Sequence, residues 1–288
     1  MSWLFVGLQA LLPHHLLGRL VYALSRTRRP WLKDLLIARF VQHYQPRLSE
    51  ALQPDARAYD SFNAFFTRAL RADARPIDPN PARLLSPCDG VLSNCGRVDG
   101  QKLLQAKGRF YTLSELLADA GEWTHAFSGG EYATFYLAPS NYHRVHMPLS
   151  GRLRAAWHVP GRLFSVNSTT AARVPRLFAR NERVVCAFDG ERGPFAVVLV
   201  GALFVGSMST VWHGQITPLR THSALVGIRL LQPATDCDLW QPRGAELGRF
   251  NMGSTVLLLL PPAGVHWDVA LKDGAPVAVG QGLGSLPA

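Results

Sequence analysis

The chain changes its hydrophobic rhythm about a quarter of the way along. Apolar residues between Trp3 and Leu24 come in short bursts, broken by Gln9, Pro13, His14, His15 and Arg19. A spanning helix needs about 20 predominantly apolar residues, and this run breaks too soon. No positive segment precedes it and no small-residue cleavage site follows it, so it does not read as a secretory signal. After Pro13, apolar residues at positions 16, 17, 20, 21 and 24 follow helical spacing, accompanied by Arg19, Arg26, Arg28, Arg29 and Lys33. A second amphipathic helix is expected over Trp31 to Tyr44, with Leu32, Leu35, Leu36, Phe40 and Val41 on one side. Such helices suit either a headgroup boundary or a domain core.

From about residue 85 the period shortens. Glu131–Leu137, Phe195–Val200, Ser223–Leu231 and Ser254–Leu260 read as strands rich in β-branched, aromatic or leucine residues, separated by Gly and Pro. One short helix is expected between Arg109 and Asp119, with Thr112 as its cap and Glu115 completing the box. The segment from Gly274 to Gly284 reads as a hairpin of the kind found in lipoyl-type barrels, taken as architecture. The expected fold class is α+β: N-terminal amphipathic helices followed by a β-rich, barrel- or sandwich-like catalytic body. The division falls into a helical, membrane-associating region over 1–60 and a β-rich domain over 61–288.

Charge narrows the partners. Lys and Arg number 30 against 20 Asp and Glu, a formal net charge of +10. Nucleic acid is the ordinary partner for such a charge, but the basic residues are dispersed and no nucleic-acid-binding signature occurs. An anionic membrane surface fits, since each basic residue near such lipids contributes on the order of 1 kcal/mol. The cysteines, Cys88, Cys95, Cys186 and Cys237, form no C-x-x-C pair and read as reduced thiols in a cytoplasmic setting.

The candidate chemistry centres on Gly253-Ser254-Thr255, which opens the apolar run Val256–Leu260. A serine directly after glycine can attack the preceding carbonyl, because glycine leaves the approach open. The amide then becomes an ester, β-elimination leaves a dehydroalanine, and its hydrolysis gives a pyruvoyl group heading a new chain. Taken alone, Gly-Ser-Thr is usually a strand entry. The attack needs a base and a carboxylate to orient it. His143 and His146 are candidate bases: on a strand their spacing puts them on opposite faces, and on a turn or helix they can share one. A metal reading of His-x-x-His is weak without a zincin string, and Asp89-Gly90 alone would be a turn. A conventional serine hydrolase competes, but it displays its nucleophile on a Gly-x-Ser-x-Gly elbow, absent around Ser254. A non-enzymatic membrane-binding β-module is the other alternative.

Several segments occur together and in order. They are Phe62–Arg68, Ser86-Pro87-Cys88-Asp89-Gly90, Gln105–Gly108, Phe135–Pro148, His158–Asn167, Leu177–Arg183 and Gly248–Thr255. In this combination the chain closely resembles the bacterial phosphatidylserine decarboxylase proenzymes, from about residue 60 to the C-terminus. Asn251-Met252 before Gly253 departs from the family's usual Leu, with similar volume at the methionine. The resemblance implies autocatalytic serinolysis between Gly253 and Ser254, giving fragments 1–253 and 254–288 that stay together as a heterodimer, with further dimerisation left open. It implies that Asp89 and His146 complete a charge relay with Ser254. His143 is then assigned to the mature site as a proton donor. The pyruvoyl cofactor formed from Ser254 would condense with the amine of phosphatidylserine as a Schiff base and release CO₂, yielding phosphatidylethanolamine. The implied setting is peripheral, on the cytoplasmic side of the cell membrane, with neither metal nor nucleic acid involved.

Overall fold

The computed structural model describes residues 9, 13–106, 108–203, 207–217, 229–230, 239–251 and 254–287. Helix α1 (His14–Ser25) and helix α2 (Pro30–Tyr44) occupy the two amphipathic stretches. Proline at the first position of α2 is pre-set for helical φ and lacks only an N–H that would have no partner there.

The two helices use their apolar residues differently. In α1 the buried positions are His14, Gly18 and Ser25, whereas Leu16, Leu20 and Leu24 point out, 66%, 57% and 41% exposed. The side facing the body is polar: His14 Nδ1 accepts from the Leu163 amide at 3.2 Å, and Tyr22 donates to Gln215 Oε1 at 2.9 Å. In α2 the buried side takes Phe40 from the predicted face and Ile37 from outside it. Ile37 and Phe40 are buried against helix α3 (Phe62–Phe66), while Trp31 and Leu35 stay exposed. Each helix therefore docks through part of its surface and leaves apolar side chains exposed.

The body is sheet-rich. Its main sheet contains β1 (Gly90–Arg97), β2 (Glu131–Leu137), β4 (Gly151–Val159), β5 (Arg183–Gly190), β6 (Gly193–Val200) and β8 (Ser254–Leu260). Their antiparallel order is β4-β5-β6-β8-β2-β1, and short strands flank both ends, so the path is open and sandwich-like rather than a closed barrel. Strand β3 (Arg144–His146) pairs with β7 (Glu246–Phe250) in a second sheet. All seven residues of β8 are buried, as a central strand covered on both faces requires. Its register runs from Ser254↔Leu137 to Leu260↔Glu131 on β2, and from Thr255↔Val200 to Leu259↔Ala196 on β6.

The capping box forms as the sequence predicts: Thr112 Oγ1 accepts from the Glu115 amide and the Glu115 carboxylate accepts from the Thr112 amide, starting helix Leu113–Leu117. The C-terminal segment differs from expectation. Pro276–Val277 pairs with β1, and Gly282–Ser285 pairs with Arg83–Leu85 and His266–Trp267. The two strands thus belong to different sheets instead of pairing as a hairpin, Gly282–Ser285 as the middle strand of its own sheet. Most of the expected strand Ser223–Leu231 lies outside the described residues. So does Cys237, while Cys88, Cys95 and Cys186 are free thiols.

Candidate functional site

Strand β2 leaves the main sheet at the end where strand β8 enters it. The link from β2 to β3 begins after Leu137, and the link from β7 to β8 ends at Ser254, which is Leu137's register partner. At the far end the Phe250 amide donates to the His143 carbonyl at 3.0 Å, and Arg249 faces Arg144 in the ladder. Ser254 and the segment 138–143 are therefore brought to one place by strand register alone. Gly253 and Met252 lie outside the described residues.

Ser254 is fully buried, and its Oγ has no hydrogen-bond partner. A buried hydroxyl without a partner costs on the order of 1–3 kcal/mol, so it marks a place where polar chemistry or a polar guest is expected. The neighbouring Thr255 hydroxyl is unpaired as well.

His143 just precedes β3 and is also fully buried. Its Nδ1 donates to the Asn141 carbonyl at 2.8 Å, which leaves Nε2 as the lone-pair nitrogen, and that atom has no partner. Burial lowers its pKa to about 3, with the Arg68 charge acting in the same direction and the Asn141 bond opposing. The ring therefore stays neutral, with burial disfavouring its protonated form.

His146 sits on the opposite face of the strand, as the spacing requires when this segment is extended. Its Nδ1 donates to the Gly244 carbonyl at 2.8 Å, so Nε2 accepts from the Tyr142 hydroxyl at 3.1 Å. Tyr142's phenol is pushed up to about 12, chiefly by burial, and stays a donor. Burial is also the main cause that lowers the His146 pKa.

Asp89 is held by Gly90. A Cβ on that glycine would come within 2.3 Å of the Tyr136 carbonyl, so only glycine lets the Pro87–Gly90 turn press onto β2. The Asp89 carboxylate accepts from Arg75 Nε at 2.8 Å and from the Val279 amide at 2.9 Å. Arg75 also reaches Glu50 at 2.8 Å. The His146 amide donates to the Pro87 carbonyl at 2.7 Å, which ties the His146 strand to the turn carrying Asp89.

The fold thus gathers Asp89, His143, His146 and Ser254 around one sheet end, but no hydrogen bond joins Asp89, His146 and Ser254 to each other. The orienting position at His146 Nδ1 is filled by Gly244, and Asp89 is engaged by Arg75. Neither partner was visible in the sequence. Arg75 lies 14 residues from Asp89 and Gly244 lies 98 from His146, separations that carry no periodic signal. Among the described residues, no cluster of His, Cys, Asp and Glu could hold a metal ion.

Comparison with known proteins identifies the family. The family model described as phosphatidylserine decarboxylase matches residues 62–285, and one described as PSD matches residues 4–45. A phosphatidylserine decarboxylase proenzyme of Pseudomonas fluorescens is 50% identical over 281 residues, covering 98% of this chain and 96% of the relative. The proenzyme of Ectopseudomonas mendocina is 50% identical over 286 residues, with 98% of each chain covered. That of Pseudomonas entomophila is 50% identical over 287 residues, covering 100% and 99%. The chain belongs to the phosphatidylserine decarboxylase family.

Proposed function

We propose that this chain is made as a precursor, cuts itself between Gly253 and Ser254, and then removes the carboxylate of phosphatidylserine as CO₂ to leave phosphatidylethanolamine. The observation that carries this reading is the pair of buried, unsatisfied groups at one sheet end: the Ser254 hydroxyl and the His143 Nε2 lone pair. An uncommitted nucleophile is what self-cleavage needs, and an uncommitted ring nitrogen is what proton transfer in the later decarboxylation needs. They also fit a pyruvoyl group built from Ser254 itself, because a methyl would stand where the orphaned hydroxyl stood and no satisfied hydrogen bond would be lost.

Cleavage requires that the Ser254 hydroxyl attack the Gly253 carbonyl while a histidine takes its proton. The Gly253–Ser254 amide becomes an ester, and removal of the Ser254 α-proton eliminates the new carboxylate of fragment 1–253 to leave a dehydroalanine. Water then hydrolyses it, with loss of ammonia, to the pyruvoyl group on fragment 254–288. That group supplies an electron sink for the charge left when CO₂ departs. His146 and Asp89 are the proposed maturation relay. Two features support this: the Asp89 charge favours protonated His146, and a backbone bond couples their segments. His143 then serves the lipid-cleaving step as a proton carrier.

One observation favours a second assignment. Tyr142 already occupies His146 Nε2, whereas His143 Nε2 is free. On that assignment His143 takes the Ser254 proton, and the Tyr142–His146 pair delivers the proton that replaces CO₂.

The region 1–60 is proposed to hold the enzyme on the cytoplasmic face of the cell membrane as a peripheral protein. Support comes from the exposed Leu16, Leu20 and Leu24 stripe, from exposed Trp31 and Leu35, and from the net charge of +10. Among the described residues no helix is long and apolar enough to cross a membrane.

The test is a denaturing gel with intact-mass measurement of the purified protein, together with release of CO₂ from phosphatidylserine vesicles. Two fragments split before residue 254, the smaller with a blocked terminus, are expected beside activity. Full decarboxylase activity in a wholly uncleaved preparation would overturn the proposal.

A further inference from the structure

Arg68 stands two residues beyond the end of α3 and is only 3% exposed. One amino group, Nη2, donates to the Ser140 carbonyl at 3.4 Å. Among the described residues its Nε and Nη1 are buried without any acceptor, and the side chain forms no ion pair. The guanidinium carbon lies 5.7 Å from the Phe65 ring centroid, which offers only a weak cation–π contact. Burying a guanidinium with two idle donors is costly unless an anion arrives to take them.

Its neighbour shows the contrast. Arg75 binds the carboxylates of Asp89 and Glu50, so its charge is balanced within the protein. Both arginines line a cavity of about 800 Å³ that also presents Asp89, Ser140, Tyr142 and Val279. Arg68 is therefore the deeply buried cation of this cavity whose donors are uncommitted. Its charge reaches His143, and the Ser140 carbonyl it holds belongs to the same link whose Asn141 carbonyl fixes the His143 ring.

We propose that Arg68 is the residue that receives the phosphodiester of the lipid head group, a role that rests on the decarboxylase reading above. The phosphodiester is the fitting anion on energetic grounds. The substrate carboxylate loses its charge as CO₂ forms, so pairing it with a buried guanidinium would hold the ground state more firmly than the transition state. Phosphodiester charge is unchanged through the reaction, so binding it holds the substrate without opposing the chemistry. The idle Nε and Nη1 lie on different edges of the guanidinium, so each can donate one hydrogen bond to phosphodiester oxygens beside the charge attraction. Only a short chain separates phosphate from amine in this head group, so a phosphate at Arg68 leaves the amine within the same site.

The test uses Arg68→Gln and Arg68→Lys in the full chain. Both variants are expected to self-cleave. Arg68→Gln should raise the KM for phosphatidylserine roughly ten- to a hundredfold, with kcat within a few-fold, as expected for lost hydrogen bonds to a charged group. Arg68→Lys should fall between, because it keeps the charge but not the two separately placed donors. Glycerophosphoethanolamine, a phosphodiester without a carboxylate, should compete with substrate in the wild type and not in Arg68→Gln. Serine, a carboxylate without a phosphate, should not compete. Inorganic phosphate should compete more weakly than glycerophosphoethanolamine.

An unchanged KM in both variants overturns the proposal, as does competition by serine that Arg68→Gln abolishes or by inorganic phosphate at equal strength. If Arg68→Gln fails to fold, Arg68→Lys and the wild-type competition profile decide the matter. A wild-type protein that neither cleaves nor decarboxylates defeats the functional reading instead. Calorimetric binding of glycerophosphoethanolamine to wild type against Arg68→Lys then still tests the arginine, with equal affinity overturning its role.

Discussion

The ring of Phe66 lies against that of His143, with centroids 4.1 Å apart and planes inclined at 39°. Phe66 in turn meets Phe40 of α2 at 5.7 Å, so an unbroken aromatic row leads from the second amphipathic helix to the proposed site. The row keeps water from His143. Its depressed pKa is the electrostatic trace of that dryness.

A pH dependence follows. His143 takes a proton near 6.5 in the unfolded chain and only near 3 in the folded one. Between those values the unfolded state binds more protons, so stability should fall as pH drops from about 6.5 towards 3 and be insensitive to this group above 6.5. The loss at the acid end should be on the order of a few kcal/mol. His146, also lowered by burial, contributes with the same sign. Urea unfolding of Ser254→Ala, with and without His143→Phe, isolates the His143 share. An unaltered acid limb in the double variant would exclude it.

The two histidines are separated by cleavage kinetics. With His146 as maturation base, His146→Ala and Asp89→Ala stay full length and His143→Ala still splits. Removal of the base or of its orienting partner should slow cleavage by several orders of magnitude. The reverse outcome, splitting in His146→Ala and none in His143→Ala, assigns the Ser254 proton to His143 Nε2. Intact mass at timed intervals reads either result.

Replacing Leu16, Leu20 and Leu24 together by serine should weaken sedimentation with anionic vesicles while leaving cleavage intact. These side chains are exposed, so each change should cost less than about 0.5 kcal/mol of stability. This variant is more discriminating than deleting residues 1 to 29, because Arg26 donates to Ser207 Oγ at 3.0 Å and Ser207 also binds Asn251, near the scissile bond. Vesicle binding equal to wild type would remove the stripe from membrane contact.

Gly90→Ala should destabilise the fold by roughly 3 kcal/mol, since the Tyr136 carbonyl it would strike is backbone and cannot swing aside. The displaced turn should also impair cleavage through Asp89. Thermal unfolding in a Ser254→Ala background measures the first effect, and a melting temperature unchanged by Gly90→Ala would show that the turn gives way freely.

The sequence made strands and helices legible wherever one period dominated. Glu131–Leu137 and Ser254–Leu260 end where their patterns end, and the Thr112 capping box needs only local chemistry. Periodicity could not assign the faces of α1 and α2, because apolar residues facing lipid and apolar residues facing a core look alike. It also misled on the C-terminal segment, where two short strands pair in different sheets. At the site, Asp89, His146 and Ser254 were named through resemblance. The bonds that engage them, from Arg75, Gly244 and Tyr142, depend on tertiary register.

Strand β8 is gripped by β2 on one edge and β6 on the other along nearly its whole length. A backbone break just ahead of Ser254 would therefore remove a covalent bond without loosening the sheet, and the two pieces would stay together as though never separated. The history is not reversible. Once unfolded, residues 254–288 would carry an apolar strand with both neighbours on another molecule, and finding them again becomes a second-order search in competition with aggregation. Such an enzyme can be assembled only in one order, folding first and cutting second.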